Sequence, residues 1–93
     1  MSTDTNSSTY IKALAYVKRT KNRQEIVNII ANTRKTPSEI REIMDVDFSL
    51  VSRALRDLKD NDIVICRNPE ERIGRLYELT DTGLKIYEEL NEG

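Results

Sequence analysis

The stretch that most constrains this chain runs from residue 36 to residue 83, where helix- and strand-forming segments follow one another with almost no spare linker. It opens Thr36-Pro37-Ser38-Glu39-Ile40-Arg41-Glu42-Ile43-Met44. Thr36 is a helix cap and Pro37 the first helical residue. Glu39 stands three after the cap, where its carboxylate can reach back to the Thr36 amide. Ile40, Ile43 and Met44 recur at three- and four-residue spacing and predict an inward face. Asp45-Val46-Asp47 is a turn, with Val46 directed at the core and Asp47 able to cap a second helix over 48–60. In that helix Phe48, Val51, Ala54, Leu55 and Leu58 share the inward face, which leaves Ser49, Leu50, Ser52, Arg53, Arg56 and Lys59 facing out.

Asp60-Asn61-Asp62 ends this helix, and Asn61 or Asp62 can take the left-handed conformation that a helix stop often needs. Two apolar strands over 63–67 and 73–79 then flank Asn68-Pro69-Glu70-Glu71, which is too polar and proline-bearing to be sheet. Arg67, Arg72 and Arg75 surround the tip of that loop. Either they neutralise Glu70 and Glu71, or Arg72 and Arg75 reach the backbone or a narrow minor groove of a nucleic acid. Thr80 starts a last helix from 81 to about 91, with Leu84, Tyr87 and Leu90 on one face and Glu88, Glu89 and Glu92 at its end.

Two helices joined by a tight turn, then a charged hairpin, predict an α+β, mostly helical fold. The expected architecture is a winged helix-turn-helix: a three-helix core plus a two-stranded β-wing, with flanking N- and C-terminal helices. In that arrangement the second helix, 48–60, can enter the major groove of DNA while the wing, 67–75, reaches adjacent backbone or minor groove. Serine hydroxyls and arginine guanidiniums are the groups that base edges and phosphates require, and Leu50 can meet a thymine methyl. The residues expected at double-stranded DNA are therefore Ser38, Ser49, Leu50, Ser52, Arg53, Arg56, Lys59, Arg72 and Arg75.

Upstream, the segment 10–17 is apolar most of the way round: Tyr10, Ile11, Ala13, Leu14, Ala15, Tyr16 and Val17. It must be covered on more than one side, by the rest of the domain or by a second subunit. We expect a homodimer, with Tyr10, Ile11, Leu14 and Val17 meeting a partner together with Leu84 and Tyr87 of the last helix. Thr20 can cap a helix from 21 to about 32 that buries Ile26, Val27, Ile29 and Ile30. Lys18, Arg19, Lys21 and Arg23 crowd its start, where the helix dipole disfavours positive charge. That cluster is either a solvated end or a place kept basic for phosphates.

Composition closes several alternatives. Ninety-three residues make one domain, expected over 9–91, after a polar tail over 1–8 that has no apolar anchor and is expected to be disordered. No apolar run approaches the roughly 20 residues that span a bilayer, and the start lacks a basic-then-apolar signal, so a cytoplasmic location away from membranes is expected. With no histidine and one cysteine, a protomer cannot build a Cys/His zinc site, a disulfide or a histidine relay. We expect no metal, no cofactor and no catalysis, and Cys66 reads as a small buried apolar residue in its strand. The net charge of −1 is unevenly spread: residues 1–36 hold seven Lys or Arg against Asp4 and Glu25, while residues 37–93 hold eight against fourteen acids. What steers a protein to DNA is the local field rather than the sum.

The run Pro69-Glu70-Glu71-Arg72-Ile73-Gly74-Arg75-Leu76-Tyr77-Glu78-Leu79-Thr80-Asp81-Thr82-Gly83 resembles MarR-type winged-helix transcriptional regulators, particularly their short archaeal versions. It is similar to their acidic-residue–arginine wing, strand and Leu-Thr-x-x-Gly helix start. Thr36-Pro37-Ser38-Glu39-Ile40 and the segment Ser49 to Leu58 resemble the positioning and recognition helices, so the resemblance covers about residues 20–90. It implies a sequence-specific transcriptional regulator, with Ser49, Ser52, Arg53 and Arg56 in the major groove and Arg72 in the wing-side groove. The chain departs from the family in lacking long flanking helices, in having Asp45 where glycine is frequent, and in lacking the cysteine–histidine boxes of related metal sensors. No effector-sensing chemistry is read from the residues. The alternative from another class is a winged-helix module for protein–protein contact within transcription machinery, which the acidic second half favours.

Overall fold

Threonines start three of the helices in the computed structural model, which describes residues 2–92. The Thr20 hydroxyl accepts from the Arg23 amide to open α2 (Lys21–Ile30), and the Thr80 hydroxyl accepts from the Gly83 amide to open α5 (Asp81–Leu90). Thr36 opens α3 (Pro37–Met44) with a complete capping box: its hydroxyl accepts from Glu39 N at 3.1 Å, and Glu39 Oε1 accepts from Thr36 N at 2.8 Å. Each cap satisfies amides that the first helical turn leaves without partners.

The turn after α3 places Asp45 in the left-handed region at φ 58°, which an aspartate tolerates better than most residues. The next helix is α4 (Phe48–Asp60). Asp47 stands at its cap position, but its side chain makes no capping bond; only its backbone carbonyl accepts, from Leu50 N at 3.1 Å and Val51 N at 3.4 Å. At the other end Asp62 takes φ 61°, with Asp62 N donating to Lys59 O and Ile63 N to Leu58 O. This paired closure is the one that a left-handed residue beyond the helix end permits.

The first helix is α1 (Ser2–Lys18), and it includes residues 2–8 of the polar N-terminal run. Once the turns from Tyr10 to Val17 are packed, each further residue adds a backbone bond without a new nucleus. The polar N-terminal run therefore extends an existing helix.

The strands are shorter than expected. β1 (Val64–Cys66) pairs antiparallel with β2 (Tyr77–Leu79) in the register Val64 to Leu79, Ile65 to Glu78 and Cys66 to Tyr77. Beyond Cys66 one further backbone bond, Arg67 N to Leu76 O at 2.8 Å, continues the ladder. Its return bond goes instead to the side chain of Asn68, which accepts from Leu76 N at 2.7 Å and donates to Gly74 O at 3.2 Å. On the other edge of β2, Lys35 and Tyr77 exchange both backbone bonds, at 3.0 and 2.9 Å. The linker before α3 thus adds one bridge to the two-stranded wing.

α2 is the hub and packs against the four other helices and β2. Its Ile26, Val27 and Ile30 are fully buried, together with Val17 of α1, Ile40 of α3, Val51, Leu55 and Leu58 of α4, and Ile86 of α5. Gly83 lies so close to the Ile63 carbonyl oxygen that a β-carbon there would overlap it and would stand 3.1 Å from Leu79 Cβ. Absence of a side chain lets α5 lie directly on the root of β1.

Two expected core residues are not in the core. Ile43 is 59% exposed: the two-turn α3 is held between α2 and α4 by its Ile40–Met44 row, and Ile43 falls on the outer flank. Phe48 is 50% exposed because a first-turn side chain points back past its own helix end, away from the core. Conversely Leu50, expected to face out, is half-buried. Val17, expected at a subunit contact, has no exposed surface and belongs to the core of its own protomer.

Candidate nucleic-acid interface

Among the described residues, three hollows border the outer face of α4. On the wing side a cleft of about 510 Å³ is bordered by Ser38 of α3, Phe48 and Ser52 of α4, and Arg72, Arg75 and Tyr77 of the wing. An adjoining cleft of about 230 Å³ brings Ser52, Arg56 and Lys59 of α4 against Arg75 and Tyr77. No carboxylate lines either cleft. In a chain with 16 acidic residues against 15 basic ones, this acid-free trough is a local concentration of positive charge.

The third hollow, about 280 Å³, lies on the α2 side of α4 and holds Ser49, Leu50 and Arg53 with Thr20, Asn22 and Arg23. Asp47 and Asp57 also line it, so its field is mixed. The nine residues expected at DNA thus divide between two flanks of one helix. Ser38, Ser52, Arg56, Lys59, Arg72 and Arg75 gather on the wing side, whereas Ser49, Leu50 and Arg53 gather on the other.

The cations on and around α4 and the wing differ in freedom. Arg53, Arg56, Lys59 and Arg72 are exposed and, among the described residues, make no ion pair or hydrogen bond. Arg75 donates through Nε to the backbone oxygen of Glu71 at 2.6 Å, which pins the wing tip and leaves the rest of the guanidinium toward the cleft. Arg67 faces Glu78 at 3.6 Å, and Arg34 meets the other oxygen of that carboxylate at 2.8 Å. Neither of the two ion pairs among the described residues uses Glu70 or Glu71.

The basic cluster at the start of α2 is also divided. Arg23 donates through Nη1 to Tyr16 O at 2.7 Å, and its guanidinium carbon lies 3.7 Å from the centre of the Tyr16 ring. It satisfies a carbonyl at the end of α1 and stacks on an aromatic face, which is a structural use. Lys18, Arg19 and Lys21 stay exposed.

Of the residues expected to meet a partner subunit, Tyr10, Leu14, Leu84 and Tyr87 are half-buried against the core, and Ile11 is 61% exposed. The Tyr10 hydroxyl donates to Lys85 O at 3.3 Å, joining α1 to α5. Burial, then the negative charges of Glu89, Glu92 and Glu88, push the Tyr10 phenol above its ordinary value of 10.0. Cys66, expected buried, is only half-buried, with Sγ 3.7 Å from Asn68 Oδ1. Among the described residues no three His, Cys, Asp or Glu side chains come together as a metal site, and no helix is long and apolar enough to cross a membrane.

Sequence reasoning missed two residues of this site. Asn68 was legible only as a loop residue, although Asn-Pro after a strand is a turn signal. Phe48 was assigned to the core by its spacing from Val51 and Leu55.

A helix, a tight turn, a second helix with an outward hydroxyl-and-arginine face, and a hairpin alongside it define a winged-helix protein. Residues 18–93 match the family model described as winged helix-turn-helix, and the chain belongs to that family. Its fold is similar to that of HlyU from Vibrio cholerae N16961, with a TM-score of 0.74 at 18% identity over 94% of this chain and 97% of that one. Reduced HlyU from the same organism gives 0.76 at 17% identity, over 98% and 94% of the two chains. The C30AH42A mutant of Lactococcus lactis ZitR gives 0.69 at 20% identity over 78% of this chain; the likeness spans about half of ZitR, 51% of its length. At such identities the likeness is one of fold. No curated protein matches the sequence significantly.

Proposed function

We propose that this protein is a sequence-specific, double-stranded DNA-binding transcriptional regulator without catalytic activity. The observation that carries the reading is the acid-free trough between α4 and the wing, where Arg56, Lys59, Arg72 and Arg75 converge beside Ser38 and Ser52. A duplex laid there would receive α4 in its major groove and the wing on neighbouring backbone or minor groove. Arg72 and Arg56 would meet phosphates or guanine edges, and the serines would position or read. Ser49 and Arg53, on the far flank of α4, would reach the opposite strand's backbone. Within the winged-helix family the wing sequence supports a MarR-type regulator of the short archaeal kind, acting in the cytoplasm.

The same reading includes a homodimer built on the α1–α5 side, where Ile11 is exposed beside the half-buried Leu14, Leu84 and Tyr87. Two protomers would then read half-sites about one helical turn apart. Selection of bound duplexes from a random pool at moderate salt, followed by sequencing, tests both parts. An enriched inverted repeat supports the dimeric regulator, and a single enriched half-site keeps the regulator but removes the dimer. No enrichment refutes DNA reading and leaves a protein-contact module as the better account.

A further inference from the structure

We infer that Phe48 is a specificity-determining residue that reads a pyrimidine C5-methyl group in the major groove. The inference deepens the DNA-binding reading and rests on it. Phe48 is the chain's one phenylalanine, and half of it stands exposed at the first turn of α4. Its neighbours around the cleft include Ser38, Ser52, Arg72, Ile73, Arg75 and Tyr77, with no carboxylate. The cleft therefore suits a polyanion on its charged rim, while one wall offers an aromatic surface that neither phosphate nor sugar requires. The N-terminal residues of a recognition helix are the ones that meet base edges. In the major groove the C5-methyl of thymine is the apolar feature that a phenyl ring can cover.

Position decides between Phe48 and the other apolar residues near α4. Leu50, the sequence's own candidate for such a contact, is half-buried and faces the α2-side hollow, where Asp47 and Asp57 also lie. Ile73, 89% exposed, borders the same cleft but belongs to the wing rather than to α4, and the wing is the element given to backbone or minor groove, where no methyl is presented. Phe48 and Ser52 are one helical turn apart and border the same cleft. Together they present a ring and a hydroxyl, a pair that can contact a methyl and an adjacent polar base atom. The C5-methyl can come from thymine or from 5-methylcytosine.

The test uses the full chain and the best duplex from the random-pool selection, with each thymine replaced in turn by uracil so that only the methyl is removed. Wild-type protein is expected to lose about fourfold in affinity at one position per half-site, the worth of one buried methyl-sized group. That uracil-to-thymine ratio should fall to about one in Phe48→Ala, to an intermediate value in Phe48→Leu, and stay at its full size in Leu50→Ala. Cytosine and 5-methylcytosine at the same position identify the source: rescue by methylation alone assigns the methyl as sufficient, whereas no rescue assigns thymine. A wild-type scan flat at every thymine overturns the inference while duplex binding itself survives. A ratio undiminished in a folded Phe48→Ala overturns it as well. If no duplex is bound at all, both the DNA reading and the methyl contact fall together.

Discussion

Asn68 accepts the Leu76 amide through its side-chain oxygen at 2.7 Å, and this one contact replaces a rung of the wing ladder. The same side chain holds the Gly74 carbonyl, and its backbone oxygen accepts from the Glu71 amide at 3.0 Å. Asn68 thus organises the loop that carries Arg72 and Arg75. Asn68→Ala is expected to cost about 1 kcal/mol or less globally, because the wing lies outside the main core. Amide exchange over 67–76 should nevertheless accelerate clearly, and affinity for a selected duplex should drop. Unchanged exchange in that segment would remove Asn68 from its organising role.

The free cations of α4 and the wing predict a graded electrostatic response. Arg53→Ala and Arg56→Ala are expected to weaken specific binding while leaving the circular dichroism unchanged, since both side chains are exposed. Arg72→Ala should lower the slope of log K against log salt by about one. Lys12→Ala, exposed on α1, is the control and should leave the slope as it is. Equal slopes for all of these proteins would place the wing outside the interface.

Gly83 predicts a stability effect independent of ligand. Adding a β-carbon there meets the Ile63 carbonyl and the Leu79 side chain, so α5 must shift off the sheet root. Gly83→Ala should destabilise by about 2 kcal/mol, even after the modest gain in helix propensity. For a domain of this size the melting temperature falls by roughly 10 °C. A variant melting with the wild type would disprove the close approach.

Alkali should loosen the α1–α5 contact. Burial and the glutamates at the end of α5 raise the Tyr10 phenol above 10.0 in the folded state, so folding favours the protonated form. That contribution is fully present below pH 10.0, the ordinary value, and is lost as pH climbs from there through the folded-state value. Phenylalanine cannot ionise. The stability difference between wild type and Tyr10→Phe, measured by urea unfolding, should therefore shrink above pH 10.0 in favour of the variant. A difference constant from pH 9 to about pH 11 would contradict the raised value.

Local signals were the legible ones. Thr20, Thr36 and Thr80 cap where the sequence places them, and Asp62 takes the left-handed turn that Asp60-Asn61-Asp62 requires. Each depends on neighbours within about five residues, so the sequence carries the whole interaction. The Lys35–Tyr77 bridge joins segments far apart in the chain, and no pattern in either one announces it. Ile43 and Phe48 were misread for a related reason. Helical spacing says which residues share a face but not where the neighbouring elements end, and both lie beyond that cover. Arg23 was visible as charge only, because its use depends on the Tyr16 ring and the end of α1 arriving beside it.

The backbone bridge between Lys35 and Tyr77, with Glu78 gripping both Arg34 and Arg67, ties the root of the hairpin to the linker that launches α3. The gap between α4 and the wing is consequently braced at its root. For a duplex seated across it as proposed, the two arms would meet the double helix at a separation held by that brace. On the proposed DNA-binding reading, sequences whose grooves match that span would bind without bending, and others would have to deform to fit. Groove width, as well as base sequence, would then be part of the text being read.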